Sequence, residues 1–137
     1  MVGRDCVVHI TPLPTEQARQ TLERLLRLWH QGMHAPLPLP PKTALAWLAT
    51  LAKEASKAQQ AARTRYEGSE QVRGDAEEPC MARLYPDFEA LGADGQFAAL
   101  AQEIYQPLLD WQRDHVTAVL YPKVGLDAAD VSTEETA

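Results

Sequence analysis

From Ala18 onward the apolar positions Ala18, Leu22, Leu25, Leu26 and Trp29 recur at steps of three and four, the spacing that gathers side chains on one helical face. An amphipathic helix over about 16–31 is predicted, with Thr15 accepting its first free amide hydrogens and Gly32 capping its end. A second helix opens at Thr43, where Leu45, Leu48, Ala49 and Ala52 form a stripe that Trp47 and Leu51 widen; alanines carry it through Ala62 to Tyr66. A third follows Asp94 as N-cap, with Phe97, Leu100, Ala101, Ile104, Leu108 and Trp111 keeping the period. Pro107 lacks an amide hydrogen and crowds the preceding turn, so a kink is predicted near residues 104–107. Trp29, Trp47 and Trp111 each stand in an apolar stripe and are expected in the core.

The connecting stretches read differently. Cys6 to Thr11, CVVHIT, is a β-branched run that ends at Pro12 and Pro14, the signature of a short strand. Its backbone donors need a partner strand, in this chain or another. HVTAVLY (115–121) fits either an extension of the last helix or a second strand. APLPLPP (35–41) is expected to be a stiff, extended connector. EGSEQVRGDAEEP (67–79) has the composition of a mobile loop, followed by one helical turn over 80–85, with Phe88 and Leu91 packing the connection down. From Gly125 onward there are four acids and no base. The organisation expected is one domain over 1–121 and a disordered acidic tail over 122–137.

Length and composition support this picture without sharpening it: 137 residues, 45% apolar and 23% charged, suit one globular domain with a real core. No apolar run reaches the roughly 18 residues of a membrane span and no signal peptide is visible, so a cytoplasmic protein is expected. Cys6 and Cys80 form no C-x-x-C and read as free thiols. Charge is unevenly placed. Residues 1–66 hold nine Lys/Arg and four Asp/Glu, whereas 67–137 hold four and fifteen. Such a split fits either a basic surface for nucleic acid beside an acidic one for protein, or neutralisation within the fold.

Lys53, Lys57, Arg63 and Arg65 on the second helix are the candidate contacts to DNA phosphates; the other reading is cations placed where the helix dipole favours them. Pro86-Asp87 could open a PD-(D/E)-x-K nuclease motif, in which acids hold a divalent ion and a lysine assists the attacking water. The residues two positions before Lys42, Lys53, Lys57 and Lys123 are Pro40, Leu51, Ala55 and Tyr121, so no (D/E)-x-K exists. The enzyme alternative is a small metal-dependent nuclease built on Asp87 with Glu89, Asp94 or Glu103. His30 and His34 have zinc-ligand spacing, but Gly32 is expected to end the helix between them. GxxxxGK[ST] and GxGxxG are both absent. No catalytic residue, metal, cofactor or small-molecule substrate is therefore expected.

Two long stretches carry a family resemblance: QGM-x-x-PLPL-x-x-KTALA (31–46) and LYPDF-x-x-L-x-x-x-G-x-F-x-x-L-A (84–101). Over about residues 6–112 the chain resembles the C-terminal domain of RecC, the gamma subunit of exodeoxyribonuclease V (RecBCD). The resemblance implies a mainly α fold: three principal helices and one or two short strands, a fragment of a nuclease-like, PD-(D/E)xK-related α/β domain without its catalytic residues. It implies strand partners for CVVHIT upstream in the parent subunit, contacts with the RecD and RecB subunits, DNA bound through the full complex, and a part in Chi-regulated recombination.

Overall fold

Prolines punctuate the first elements. The computed structural model describes residues 1–121, and the expected acidic tail over 122–137 lies outside them. Strand β1 (Cys6–Ile10) stops before Pro12, and helix α1 (Thr15–His34) starts directly after Pro14. Pro14 is the N-cap residue and has no side-chain acceptor; Thr15 is already helical and caps nothing. Gly32 does not end α1 either, which runs on to His34. A helical glycine costs roughly 1 kcal/mol relative to alanine, and a Cβ here would meet Leu37 at 3.8 Å, an ordinary van der Waals contact, so packing does not require the glycine. The connector that follows has Pro38 and Pro40 buried. Pro41 then starts α2 (Pro41–Leu51) at the position where a missing N–H costs nothing.

The expected second helix is two helices, α2 and α3 (Ala55–Glu67). Residues 52–54 reverse the chain, with the Lys53 and Glu54 amides donating to Thr50 O. No glycine or proline marks the break. A single helix over 41–67 would stretch about 40 Å with its apolar stripe in water; folded back, Ala44, Trp47 and Leu48 join Ala58, Ala62 and Tyr66 in one core. The buried face of α2 is accordingly turned from the expected one: Thr43, Ala44, Trp47 and Leu48 are covered, Ala49 and Ala52 exposed.

The 67–79 segment, expected to be mobile, is pinned. Gly68 follows α3 with φ +81° and ψ −174°, a backbone region essentially reserved for glycine. Gly74 crosses it so closely that a Cβ there would stand 2.3 Å from Tyr66 O and 2.4 Å from Gly68 N. A 3-10 turn (Asp75–Glu77) then brings the Asp75 carboxylate to α2, where Oδ2 accepts from the Thr43 amide and hydroxyl, both at 2.9 Å. Thr43 is completely buried, and this carboxylate satisfies two donors that burial would otherwise strand.

Short helices α4 (Pro79–Leu84) and α5 (Phe88–Gly92) are capped by Glu78 and Asp87, which accept from Met81 N at 3.0 Å and Ala90 N at 2.7 Å. Phe88 and Leu91 are buried, as expected of anchors. Helix α6 (Gln96–Leu100) starts from Gly95 at φ +74°, and Asp94 accepts from Gln96 N one position before the N-cap expected of it. The predicted kink takes the form of a π-helical turn over Ala101–Tyr105, leading into α7 (Gln106–His115). Widening the turn just ahead of Pro107 accommodates the ring and the missing amide hydrogen. The core is an aromatic row, with ring centroids 6.4 Å apart for Tyr66–Phe88, 6.0 Å for Phe88–Phe97 and 5.8 Å for Phe97–Trp47.

HVTAVLY resolves as strand β2 (Val116–Leu120), antiparallel to β1 from Cys6↔Leu120 to Ile10↔Val116. The partner of β1 is thus in this chain, correcting the expectation that it lay upstream in a parent subunit. The observed class is mainly α, with seven α-helical segments among the described residues in place of three principal helices, and one two-stranded ribbon.

Candidate interaction surfaces

At 100° per residue, Leu22, Leu25, Leu26, Trp29 and Met33 fall within an arc of about 100° on α1. All five are more than half exposed, Trp29 at 65% and Met33 at 68%. Trp47 is 6% exposed and Trp111 half-buried, but Trp29 departs from the core placement expected of it. Of α1 only Leu28 is buried, and Gly32 stands beside Leu37 of the connector. Elsewhere the helix keeps a solvated polar face, where Arg19 bridges Glu16 and Glu23. Contiguous exposed apolar patches beyond a few hundred Å² are rare on monomers and mark interaction sites.

The four candidate DNA contacts divide. Lys53 lies in the turn between α2 and α3, and Lys57, Arg63 and Arg65 on α3. Lys57 and Arg65 line one open groove of about 620 Å³ with Ala46, Thr50, Gln60 and Thr64. Arg63 stands on the far side of α3, its guanidinium 5.9 Å from the Phe88 ring centre and 3.3 Å from Glu89. Lys57 pairs with Glu54 at 2.9 Å. Lys53 and Arg65 have no ion-pair partner among the described residues. The groove therefore gathers two of the four cations.

The acids of the nuclease alternative are engaged separately: Asp87 caps α5, Glu89 meets Arg63, Asp94 holds Gln96 N, and Glu103 is exposed on the π turn. Among the described residues no three His, Cys, Asp or Glu side chains are grouped to hold a metal. His30 and His34, expected on either side of a helix end, share α1, their ring centres 4.4 Å apart and His34 Nδ1 bonded to His30 O at 2.8 Å. Cys6 and Cys80 are free thiols. No helix among the described residues is long and apolar enough to cross a membrane.

Against known families, residues 5–52 match the family model described as the RecC C-terminal domain. The match covers about a third of the chain, and over this stretch the chain is similar to the RecC C-terminal domain. The stretch comprises β1, α1 and α2, so the exposed stripe lies wholly within it. It includes the 31–46 joint of the resemblance, while the 84–101 stretch lies beyond it. No curated protein and no solved structure matches the chain. RecC is part of the exodeoxyribonuclease V complex, RecBCD, of DNA repair and recombination. Periodicity located the apolar face of α1 but carried no signal that, among the described residues, it would stay exposed.

Proposed function

We propose that the chain is a non-catalytic structural and interaction domain of RecBCD, seated through the apolar stripe of α1 against the RecD subunit, with RecB as its other neighbour. The reading includes a nuclease-like ancestry whose catalytic residues are missing, and a supporting part in handling DNA strands during double-strand break repair and Chi-regulated recombination. One observation carries it: Leu22, Leu25, Leu26, Trp29 and Met33 form an uncovered stripe inside the family-matched segment. Leu26→Glu combined with Trp29→Ala should cut capture by RecD at least tenfold. Because both side chains are exposed, thermal stability should move by no more than about 0.5 kcal/mol. Failure of the unaltered chain to bind folded RecD or RecB overturns the reading. So does Mg²⁺- or Mn²⁺-dependent cleavage of linear DNA that is lost in Asp87→Ala.

Strand handling would place the groove lined by Lys57 and Arg65 against phosphates, with Lys53 in the turn before α3 and Arg63 on the far side of that helix as the remaining candidates. Each phosphate neutralised on duplex DNA contributes about −0.9 to the slope of log K against log salt. Replacing Lys57 and Arg65 together by Gln should therefore flatten that slope by nearly 2 in titrations of the assembled complex. An unchanged slope removes the groove from the DNA path. Arg63→Gln should matter less, since Arg63 does not line the groove.

A further inference from the structure

Helix α1 closes on a pair of histidines. His30 and His34 are four residues apart, and Gly32 would part them if it ended the helix. The helix instead runs through to His34, so both imidazoles stand on one side of its last turn. Their ring centres are 4.4 Å apart, the rings inclined at 42°, and both side chains are exposed. His34 Nδ1 lies 2.8 Å from His30 O. A carbonyl oxygen only accepts, so Nδ1 carries the hydrogen, and in the neutral ring Nε2 is left with the lone pair.

Each of these features suits a metal ion. A metal-ligating histidine commonly gives its other ring N–H to a backbone carbonyl, which fixes tautomer and ring orientation; His34 is already held in this way. With metal–nitrogen bonds of roughly 2.0–2.1 Å, an ion in the plane of both rings lies about 3.2 Å from each centre, and a corner of 90–109° at the metal needs centres about 4.5–5.2 Å apart. The observed 4.4 Å is a small side-chain adjustment from that range. The pair also occupies the last turn of α1, where the free carbonyls of a helix end favour cations. It faces an open hollow of about 500 Å³ shared with Gln31 and, from α6, Gln96, which leaves room for water on the remaining positions of an ion. Arg27, three residues before His30, is a cation on this side of the helix, but it is exposed and screened by solvent.

We propose that His30 and His34 chelate one late first-row divalent ion, of the Ni²⁺, Cu²⁺ and Zn²⁺ class, with water completing its shell. Imidazole suits these ions, whereas Mg²⁺ and Ca²⁺ take oxygen ligands. Two protein ligands make an open, exchangeable site, short of the three that hold a catalytic zinc and the four that hold a structural one. That fits the lack of any group of three His, Cys, Asp or Glu side chains among the described residues. The ion bridges the turn that contains Gly32, where the helix propensity of α1 is lowest, and so fastens the end of the helix. The site rests on the turn geometry of α1, and not on what docks against its apolar stripe.

Calorimetric titration of the full, untagged chain with NiCl₂ and with ZnCl₂ tests this. Saturation at one ion per chain is expected, with no uptake of Mg²⁺ or Ca²⁺. His30→Gln and His34→Gln should each weaken binding by about tenfold or more, because the remaining imidazole loses its chelate partner. Both side chains are exposed, so circular dichroism should be unchanged. The other imidazoles and thiols serve as controls: His9→Gln, His115→Gln, Cys6→Ser and Cys80→Ser should each leave the affinity as it is. Gly32→Ala stiffens the turn between the two rings and should tighten binding by about twofold to fivefold, an effect that histidines acting singly would not show. A chain that takes up neither Ni²⁺ nor Zn²⁺ at 1 mM overturns the proposal. So does binding that survives His30→Gln and His34→Gln together, which would assign the ion to other side chains.

Discussion

Gly74→Ala should destabilise the protein by roughly 3 kcal/mol or more, the upper range for forcing atoms into filled space, and lower Tm by about 10 °C. The added methyl would sit 2.3 Å from Tyr66 O, 2.4 Å from Gly68 N and 2.6 Å from the Glu67 carbonyl carbon. All three are backbone atoms at the end of α3, so no side chain can swing aside. Relief requires moving the turn that carries Tyr66 into the core or the one that carries Asp75 to Thr43. Gly92→Ala is the matched control: a Cβ there meets nothing within 4 Å, and its stability should stay within about 1 kcal/mol of the parent. Urea denaturation of both variants decides the matter. Equal midpoints for Gly74→Ala and the unaltered chain would show that the crossing of Gly68 and Gly74 is loose.

Alkali should unfold the protein through Tyr66. Its side chain is completely buried and its hydroxyl donates to Tyr85 O. Burial above all, then the charges of Asp75 and Asp87, push the hydroxyl up to about 12, whereas an unfolded tyrosine ionises near 10. Below about pH 10 both states keep the proton and this stability is fully present. Between about 10 and 12 the unfolded chain loses its proton while the folded one holds it, so stability falls by up to about 1.4 kcal/mol per pH unit, some 2–3 kcal/mol in all. Tyr105 is raised in the same direction, by burial and then by Asp75, and steepens the fall. Tyr66→Phe should cost about 1–2 kcal/mol at neutral pH by leaving Tyr85 O without its donor, and should make the decline above pH 10 shallower. Midpoints of urea unfolding between pH 7 and 11 report both effects. A Phe variant with the same alkaline slope as the parent would assign the decline to other groups.

What could be read in advance was local. The π turn ahead of Pro107, the anchoring by Phe88 and Leu91, the strand ending at Pro12 and the free thiols follow from residues acting on their own neighbourhood. What failed depended on distant partners. Trp29 and Trp47 occupy equivalent places in helical stripes, yet one is exposed and the other buried, because period tells which face is apolar and not which element arrives to cover it. The reversal at 52–54 contains only good helix formers; burial of Trp47 and Leu48 against Ala58 and Ala62 overrides their propensity. Asp75 lies 32 residues from Thr43, so an acidic, glycine-containing loop read as mobile when one of its acids is a structural acceptor. Among the candidate cations, the spacing of Arg63 and Arg65 already puts them on opposite sides of one helix, a signal present in the sequence and not used.

The ribbon that joins residues 6–10 to residues 116–120 also orders events in time. At about 5–20 residues per second, a ribosome needs roughly 5–20 s to travel from the first strand to the second. Throughout that interval β1 lacks its ladder partner, with Cys6 and Val8 engaged by Gly3 and Met1, while α2 to α7 emerge and close on the aromatic row. The last described segment to leave the exit tunnel therefore acts as a clasp. Premature termination anywhere before Val116 would release a molecule whose helices can pack but whose opening strand stays unzipped.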